Sequence, residues 1–103
     1  MAITQAGAVG TGNTTMYTST NTTAITCMFF MNDNATARTL NIFVVQSGAS
    51  PATTNQIIKA VSIDGGDTYV INLEKLVLDN GDTIVATASA GSSIYGTISS
   101  VTI

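Results

Sequence analysis

Short turn signals divide this chain into segments that are rich in strand-forming residues. Glycine, asparagine, aspartate and serine cluster at residues 10–13, 32–34, 47–51, 64–67, 79–82 and 90–93, mostly about 8 to 16 residues apart. Threonine, valine and isoleucine, whose branched β-carbons favour strands, dominate the segments between them. This spacing predicts an all-β protein, a single β-sandwich of about eight strands. The strand order is expected to be jelly-roll-like or that of an immunoglobulin-like Greek key.

The predicted strands cover most of the chain between these turns. Two stretches also fit a helix: residues 55–61, where a strand is the preferred interpretation, and residues 72–75, which fit a single helical turn between two strands. Neither alternative changes the fold class. The strands of the sandwich are expected at residues 14–18, 23–31, 39–46, 56–63, 68–73, 76–78, 83–89 and 93–103.

Residues 1–13 are assigned separately from the sandwich domain of residues 14–103. They are rich in alanine, glycine and threonine and have only a weak apolar pattern, so they are expected to form an arm or an edge strand. Such a segment becomes ordered by adding a strand to a neighbouring subunit. Ala2, Ile3 and Val9 are therefore candidate interface residues.

Two predicted strands have apolar side chains on both faces. Alternation along residues 23–31 places Ile25, Cys27, Phe29 and Met31 together on one face, and this leaves Met28 and Phe30 on the other. In the strand at residues 39–46, Phe43 lies opposite the alternating apolar residues Leu40, Ile42 and Val44. A second layer or a partner must cover the outer apolar side chains. Met28, Phe30 and Phe43 are the predicted contacts with a partner.

The composition excludes several functions. The chain is 9% charged and 45% hydrophobic. It has three basic and six acidic residues and a net charge of −3, so it has too few cationic side chains to bind nucleic acid. Without histidine, and with Cys27 as its only cysteine, it is not expected to be an enzyme or to hold a metal or other cofactor. The longest apolar run, residues 27–31, is too short for a membrane helix, and residues 1–5 lack the positive charge of a secretory signal.

A short internal repeat has both a structural and a functional interpretation. Residues 64–70 and 79–85 share the pattern Asp-x-Gly-Asp-Thr, an apolar residue, and Val. The structural interpretation is two similar turns in which glycine supplies the positive φ of a tight hairpin. The functional one is a calcium site built from the paired aspartates, although the closing ligands of an EF-hand are missing. A pair such as Asp64 and Asp82 would meet only if both turns lay at one end of the sandwich.

The segment with the sequence LEKLVLDNGDTIVATA, residues 73–88, is the most specific part of a wider resemblance. Together with residues 17–18, 23–26, 37–44, 55–58 and 66–70, it resembles the small β-sandwich structural proteins of tailed-bacteriophage virions, in particular those of cyanophages and related marine phages. The resemblance covers most of residues 14–103 and includes no catalytic residue.

This resemblance implies a virion component that assembles in the host cytoplasm. The leading expectation is a capsid decoration (cement) protein, a homo-oligomer with a trimer favoured, that binds between subunits of the major capsid protein. A tail, collar, baseplate or fibre component is the alternative within the family. A carbohydrate- or receptor-binding module is the alternative of another class, with Tyr95 as its best candidate for stacking on a sugar.

Overall fold

The computed structural model describes residues 2–103, and of residues 2 and 73–75 it describes the backbone alone. Strands make up most of this part of the chain, and its helical structure is a single 3₁₀ turn at Thr53–Asn55. The turn includes Asn55 and leads into a strand, so the strand preferred for residues 55–61 is confirmed from Gln56 onward. The strands are β1 (Ala2–Ala8), β2 (Thr14–Thr18), β3 (Thr23–Asn32), β4 (Arg38–Val45), β5 (Gln56–Ile63), β6 (Thr68–Leu78), β7 (Thr83–Ala88) and β8 (Ile94–Thr102).

Two four-stranded antiparallel sheets pack together, with the strand orders β1-β8-β3-β6 and β2-β7-β4-β5. The pairs β1–β8, β2–β7, β3–β6 and β4–β5 are those of one long hairpin whose turn joins β4 to β5. The additional pairs β3–β8 and β4–β7 roll this hairpin into two layers, which is a jelly roll. The predicted β-sandwich of about eight strands is confirmed, and the jelly roll is the strand order that forms.

β6 is one strand where the sequence predicted two. Glu74 and Lys75 interrupt the apolar pattern and suggested a break or a helical turn at residues 72–75. β6 lies at the edge of its sheet, where charged residues are well tolerated, so the strand continues through them. The side chains of residues 73–75 lie outside the described residues.

The hydrophobic core lies between the two sheets, and both contribute to it. Along β8, Ile94, Gly96, Ile98 and Ser100 alternate inward, and in β4 Leu40 and Ile42 are completely buried. Close packing at Gly96 leaves no room for a side chain, since an added Cβ would lie 2.9 Å from Cε1 of Phe30. The largest fully buried apolar side chains are Phe30, Ile25, Met28, Leu40, Ile42, Leu78, Ile84, Ile94, Ile98 and Val9.

The two Asp-x-Gly-Asp turns lie at opposite ends of β6. In each, the second aspartate's N–H donates to the carbonyl of the first at 3.0 Å, and glycine has the expected positive φ, +79° at Gly66 and +89° at Gly81. The prediction of tight hairpins is wrong, because β5 and β7 belong to the sheet opposite β6 and each turn crosses between layers. Asp64 and Asp82 are separated by the length of an eleven-residue strand, so they form no carboxylate pair.

Candidate interaction surface

A β-bulge in the middle of β3 decides which side chains reach the surface. Ile25 pairs with Ser100 of β8, and Cys27 pairs with the adjacent residue Ser99, so Thr26 occupies one extra position. The Oγ1 atom of Thr26 lies 3.2 Å from both the carbonyl oxygen and Oγ of Ser99, which holds the extra residue in place. Because side chains alternate with a period of two, one extra residue moves every later side chain to the other face.

The prediction that Met28 and Phe30 point outward is therefore wrong. Both side chains are completely buried in the core, and Asn32 follows them inward. Phe29 and Met31, predicted to be in the core with Ile25, point outward and remain 39% and 38% exposed. Cys27, predicted to share the face of Ile25, lies on the outer side of the sheet and is half-buried. Each face of this segment carries one methionine and one phenylalanine, Met28 and Phe30 on one side and Phe29 and Met31 on the other. The alternation pattern therefore does not show which face belongs to the core.

The outward side chains of β3 have apolar neighbours on both adjacent strands. Phe29 is paired with Val70 of β6, which is 49% exposed, and Met31 is paired with Tyr95 of β8. Directly opposed residues of antiparallel strands project from the same face, so these four side chains form one cluster. We call the following residues of the β1-β8-β3-β6 sheet the outer face: Ile3, Gln5, Cys27, Phe29, Met31, Thr68, Val70, Asn72, Tyr95, Thr97 and Ser99.

The outer face contains no charged side chain. Apart from residues 74 and 75, whose side chains are not described, the charged residues lie in the turns between strands or in the other sheet. Arg38 and Lys59 belong to β4 and β5. The acidic residues of the turns are Asp33, Asp64, Asp67, Asp79 and Asp82. A partner of the outer face therefore meets hydroxyl, amide and apolar groups.

The other predicted interface residues lie in different places. Val9 is completely buried, and its N–H donates to the carbonyl of Ile94 at 2.7 Å, so it offers no surface to a partner in this structure. Ile3 is 71% exposed at the end of the outer face. Phe43 is half-buried on the outside of the opposite sheet, paired with Val85. The side chain of Ala2 lies outside the described residues.

The residues of the alternative sites that the sequence suggested lie in different surroundings. Asp82 uses both carboxylate oxygens within the fold: Oδ1 accepts from the Ser47 N–H and Oδ2 from the Asp79 N–H, each at 2.9 Å. Tyr95, the candidate for stacking on a sugar, projects from a sheet face. Tyr17 is half-buried, with its hydroxyl 3.5 Å from Oγ of Ser100. The described residues bring no three potential metal ligands together.

A groove between the two sheets forms a cavity near the surface in the described part of the chain. It has a volume of about 510 Å³ and lies between the ends of β5 and β6 and the loop after β4. Ile57, Val77 and Leu78 provide its apolar side, and Gln46, Asn55 and Gln56 are among its polar residues. It holds no cluster of titratable groups, because Asp82 is its only acidic residue.

The fold and its surface define a class: a jelly-roll β-sandwich in which one sheet has an outer face of uncharged polar and apolar side chains. Comparison of the chain with protein-family models, curated proteins and solved structures found no match. No helix in the described part of the chain is long and apolar enough to span a membrane.

Proposed function

We propose that this chain is a structural protein of a tailed-phage virion, a capsid decoration protein that stabilises the head by binding between subunits of the major capsid protein. The outer face is the observation that carries this proposal, because it is a surface suited to being covered. The sequence resemblance of residues 73–88 to small virion proteins supports the same role.

Leaving the outer face in water is unfavourable. Phe29, Met31, Val70 and Tyr95 form a contiguous cluster, and each is more than a third exposed. Removing apolar surface from water contributes roughly 25 cal/mol per Å², so covering this cluster is a substantial driving force for assembly. Contiguous exposed apolar patches on folded proteins mark interaction sites more often than isolated exposed residues do.

The size of the outer face suits a modest contact repeated many times. The outer face spans four strands about 4.8 Å apart. Along β3 it has three rows of side chains, at Cys27, Phe29 and Met31, about 7 Å apart. Its footprint is therefore roughly 400 Å². A standard interface buries about 800 Å² on each partner, so one copy of the outer face supplies about half of that area. A lattice that presents many equivalent sites gains stability from such contacts by multiplying them.

The absence of charge on this face indicates how it is recognised. A neighbour that covers the face is held by apolar packing and by hydrogen bonds to threonine, serine and asparagine side chains. Such a contact depends little on ionic strength, in contrast to one held by opposed surface charges. This suits a structural protein that stays attached to a particle under varied salt conditions.

Counting the copies in purified virions tests the proposal. We expect quantitative mass spectrometry to find the chain in hundreds of copies, at a fixed ratio to the major capsid protein, and cryo-electron microscopy to place it on the head. A few to a few dozen copies would contradict a capsid role and favour a tail, collar, baseplate or fibre component. Absence from the particle would overturn both.

A further inference from the structure

The edge strands of this sandwich differ in how well they are protected from pairing with another chain. The sheets end in β1 and β6 on one layer and in β2 and β5 on the other. Exposed edges present unpaired N–H and C=O groups, and natural proteins protect them with charges, bulges or short strands. β5 contains Lys59 and has an irregular register with β4, β6 contains Glu74 and Lys75, and the five residues of β2 are interrupted by a bulge between Thr15 and Tyr17.

β1 has the least protected edge. Its sequence, AITQAGA, contains no charged residue and no proline. From Ala2 opposite Ser100 to Gln5 opposite Thr97 it pairs with β8 in regular register. A bulge follows between Gln5 and Gly7, so it limits the regular part of the edge to residues 2–5.

We propose that the regular edge of β1 at residues 2–5 pairs with the same segment of a second copy about a two-fold axis, in the register that sets Ile3 opposite Ile3 of that copy and so keeps both outer faces on one side. A strand that pairs with itself across a two-fold axis is antiparallel, which is the more stable arrangement of a ladder. The two β1-β8-β3-β6 sheets then become one continuous eight-stranded sheet. A trimer closed by edge pairing would need a second, different open edge on each copy, and the other edges are protected.

A second copy suits this edge better than a charged partner does. No like charges meet, because residues 2–5 are all uncharged. Ile3, 71% exposed on the outer face, is brought beside the two-fold axis, where the second copy shields it. The two outer faces lie side by side with a combined footprint of about 800 Å², the area that one partner of a standard interface buries. The pairing itself does not depend on the virion role.

Sedimentation velocity of the purified chain over a range of concentrations tests this pairing. We expect the wild type to form a dimer. Ile3→Lys, which places two like charges beside the axis, should raise the dimer dissociation constant at least tenfold. Val70→Lys is the matched control: it puts the same charge on the same face, but on β6 at the opposite edge of the sheet. It should leave the dimer intact.

Each other outcome overturns the pairing. If the wild type stays monomeric at the highest concentration that its solubility allows, β1 does not pair with a second copy. Loss of the dimer in both variants means that the outer face itself is the contact, and loss in neither variant places the contact elsewhere.

Hydrogen exchange gives a second test of the same pairing. Amides of residues 2–5 should gain protection as the protein concentration rises, while those of β2 should not. If the pairing fails, the proposed function is still tested on its own by the copy number in virions.

Discussion

Ile25 and Cys27 are two residues apart in β3 but lie on opposite faces of their sheet. They pair with the adjacent residues Ser100 and Ser99 of β8, so Thr26 is an extra residue between them. In a regular strand they would share a face. This single insertion into the ladder buries Met28 and Phe30 and turns Phe29 and Met31 to the surface. The outer face therefore depends on a local irregularity of the backbone.

Deleting Thr26 should abolish stable folding. Without it, one half of β3 must turn its core residues outward, either Ile25 or the pair Met28 and Phe30, and we expect a loss above about 4 kcal/mol. Thr26→Ala keeps the extra residue and removes only the contacts of Oγ1 with Ser99, so it should cost about 1 kcal/mol. Urea unfolding followed by circular dichroism measures both. Equal stability of the two variants would show that the bulge does not set the faces.

Asn32 should stabilise the end of β3 far more than its neighbour Asn34 does. Asn32 is completely buried, and its Nδ2 donates to the carbonyls of Thr36 at 3.0 Å and Ile63 at 2.9 Å. Asn32→Ala leaves both carbonyls without this donor and should lower the free energy of unfolding by about 2–4 kcal/mol. Asn34→Ala, which loses one exposed bond to the Thr36 N–H, should cost less than about 1 kcal/mol. Denaturant titration of both variants checks the difference, and similar losses would contradict it.

Gly96 should not tolerate a methyl group. A Cβ there would lie 2.9 Å from Phe30 Cε1 and 2.8 Å from Met16 Cε, so Gly96→Ala overpacks the core and should cost about 1–3 kcal/mol. Gly91 is the matched control, because a Cβ there meets nothing within 4 Å and its φ is not positive. Thermal unfolding should show a lower Tm for Gly96→Ala and little change for Gly91→Ala. A Tm of Gly96→Ala equal to wild type would contradict the close packing at this position.

The two similar turns should respond differently to loss of their second aspartate. Asp82 accepts hydrogen bonds from the N–H groups of Ser47 and Asp79, so Asp82→Ala should cost about 1–2 kcal/mol. Asp67 occupies the same place in the first turn, is exposed, and among the described residues makes no side-chain hydrogen bond. Asp67→Ala should change stability by less than about 0.5 kcal/mol. Chemical denaturation of the pair decides this, and a larger effect at Asp67 would contradict it.

Much of the secondary structure could be predicted because it depends on local signals. Strands β2 and β5 have the predicted bounds, since branched residues and polar turns mark their ends. The glycines of positive φ at residues 66 and 81 were also evident from the Asp-x-Gly-Asp pattern. The choice between a jelly roll and a Greek key could not be predicted, because it depends on pairing between strands far apart in sequence, such as β1 with β8.

The interaction surface was harder to predict than the fold. Apolar residues on both faces of β3 correctly indicated that some would be exposed, but the bulge at Thr26 reversed which ones. A bulge follows from how two strands fit together, and the sequence near Thr26 contains no glycine to mark it. The core position of Val9 likewise follows from its bond to Ile94 at the far end of the chain.

Binding to particles tests the role of the outer face most directly. Virions assembled without this chain would be mixed with purified wild type, Val70→Lys or Ile57→Lys, and the bound protein measured after sedimentation of the particles. Val70 and Ile57 are 49% and 46% exposed on edge strands of the two different sheets, so the substitutions match in type and accessibility. We predict that Val70→Lys loses binding while Ile57→Lys binds like wild type. Wild-type binding by Val70→Lys, or equal loss in both variants, would contradict the outer face as the docking surface.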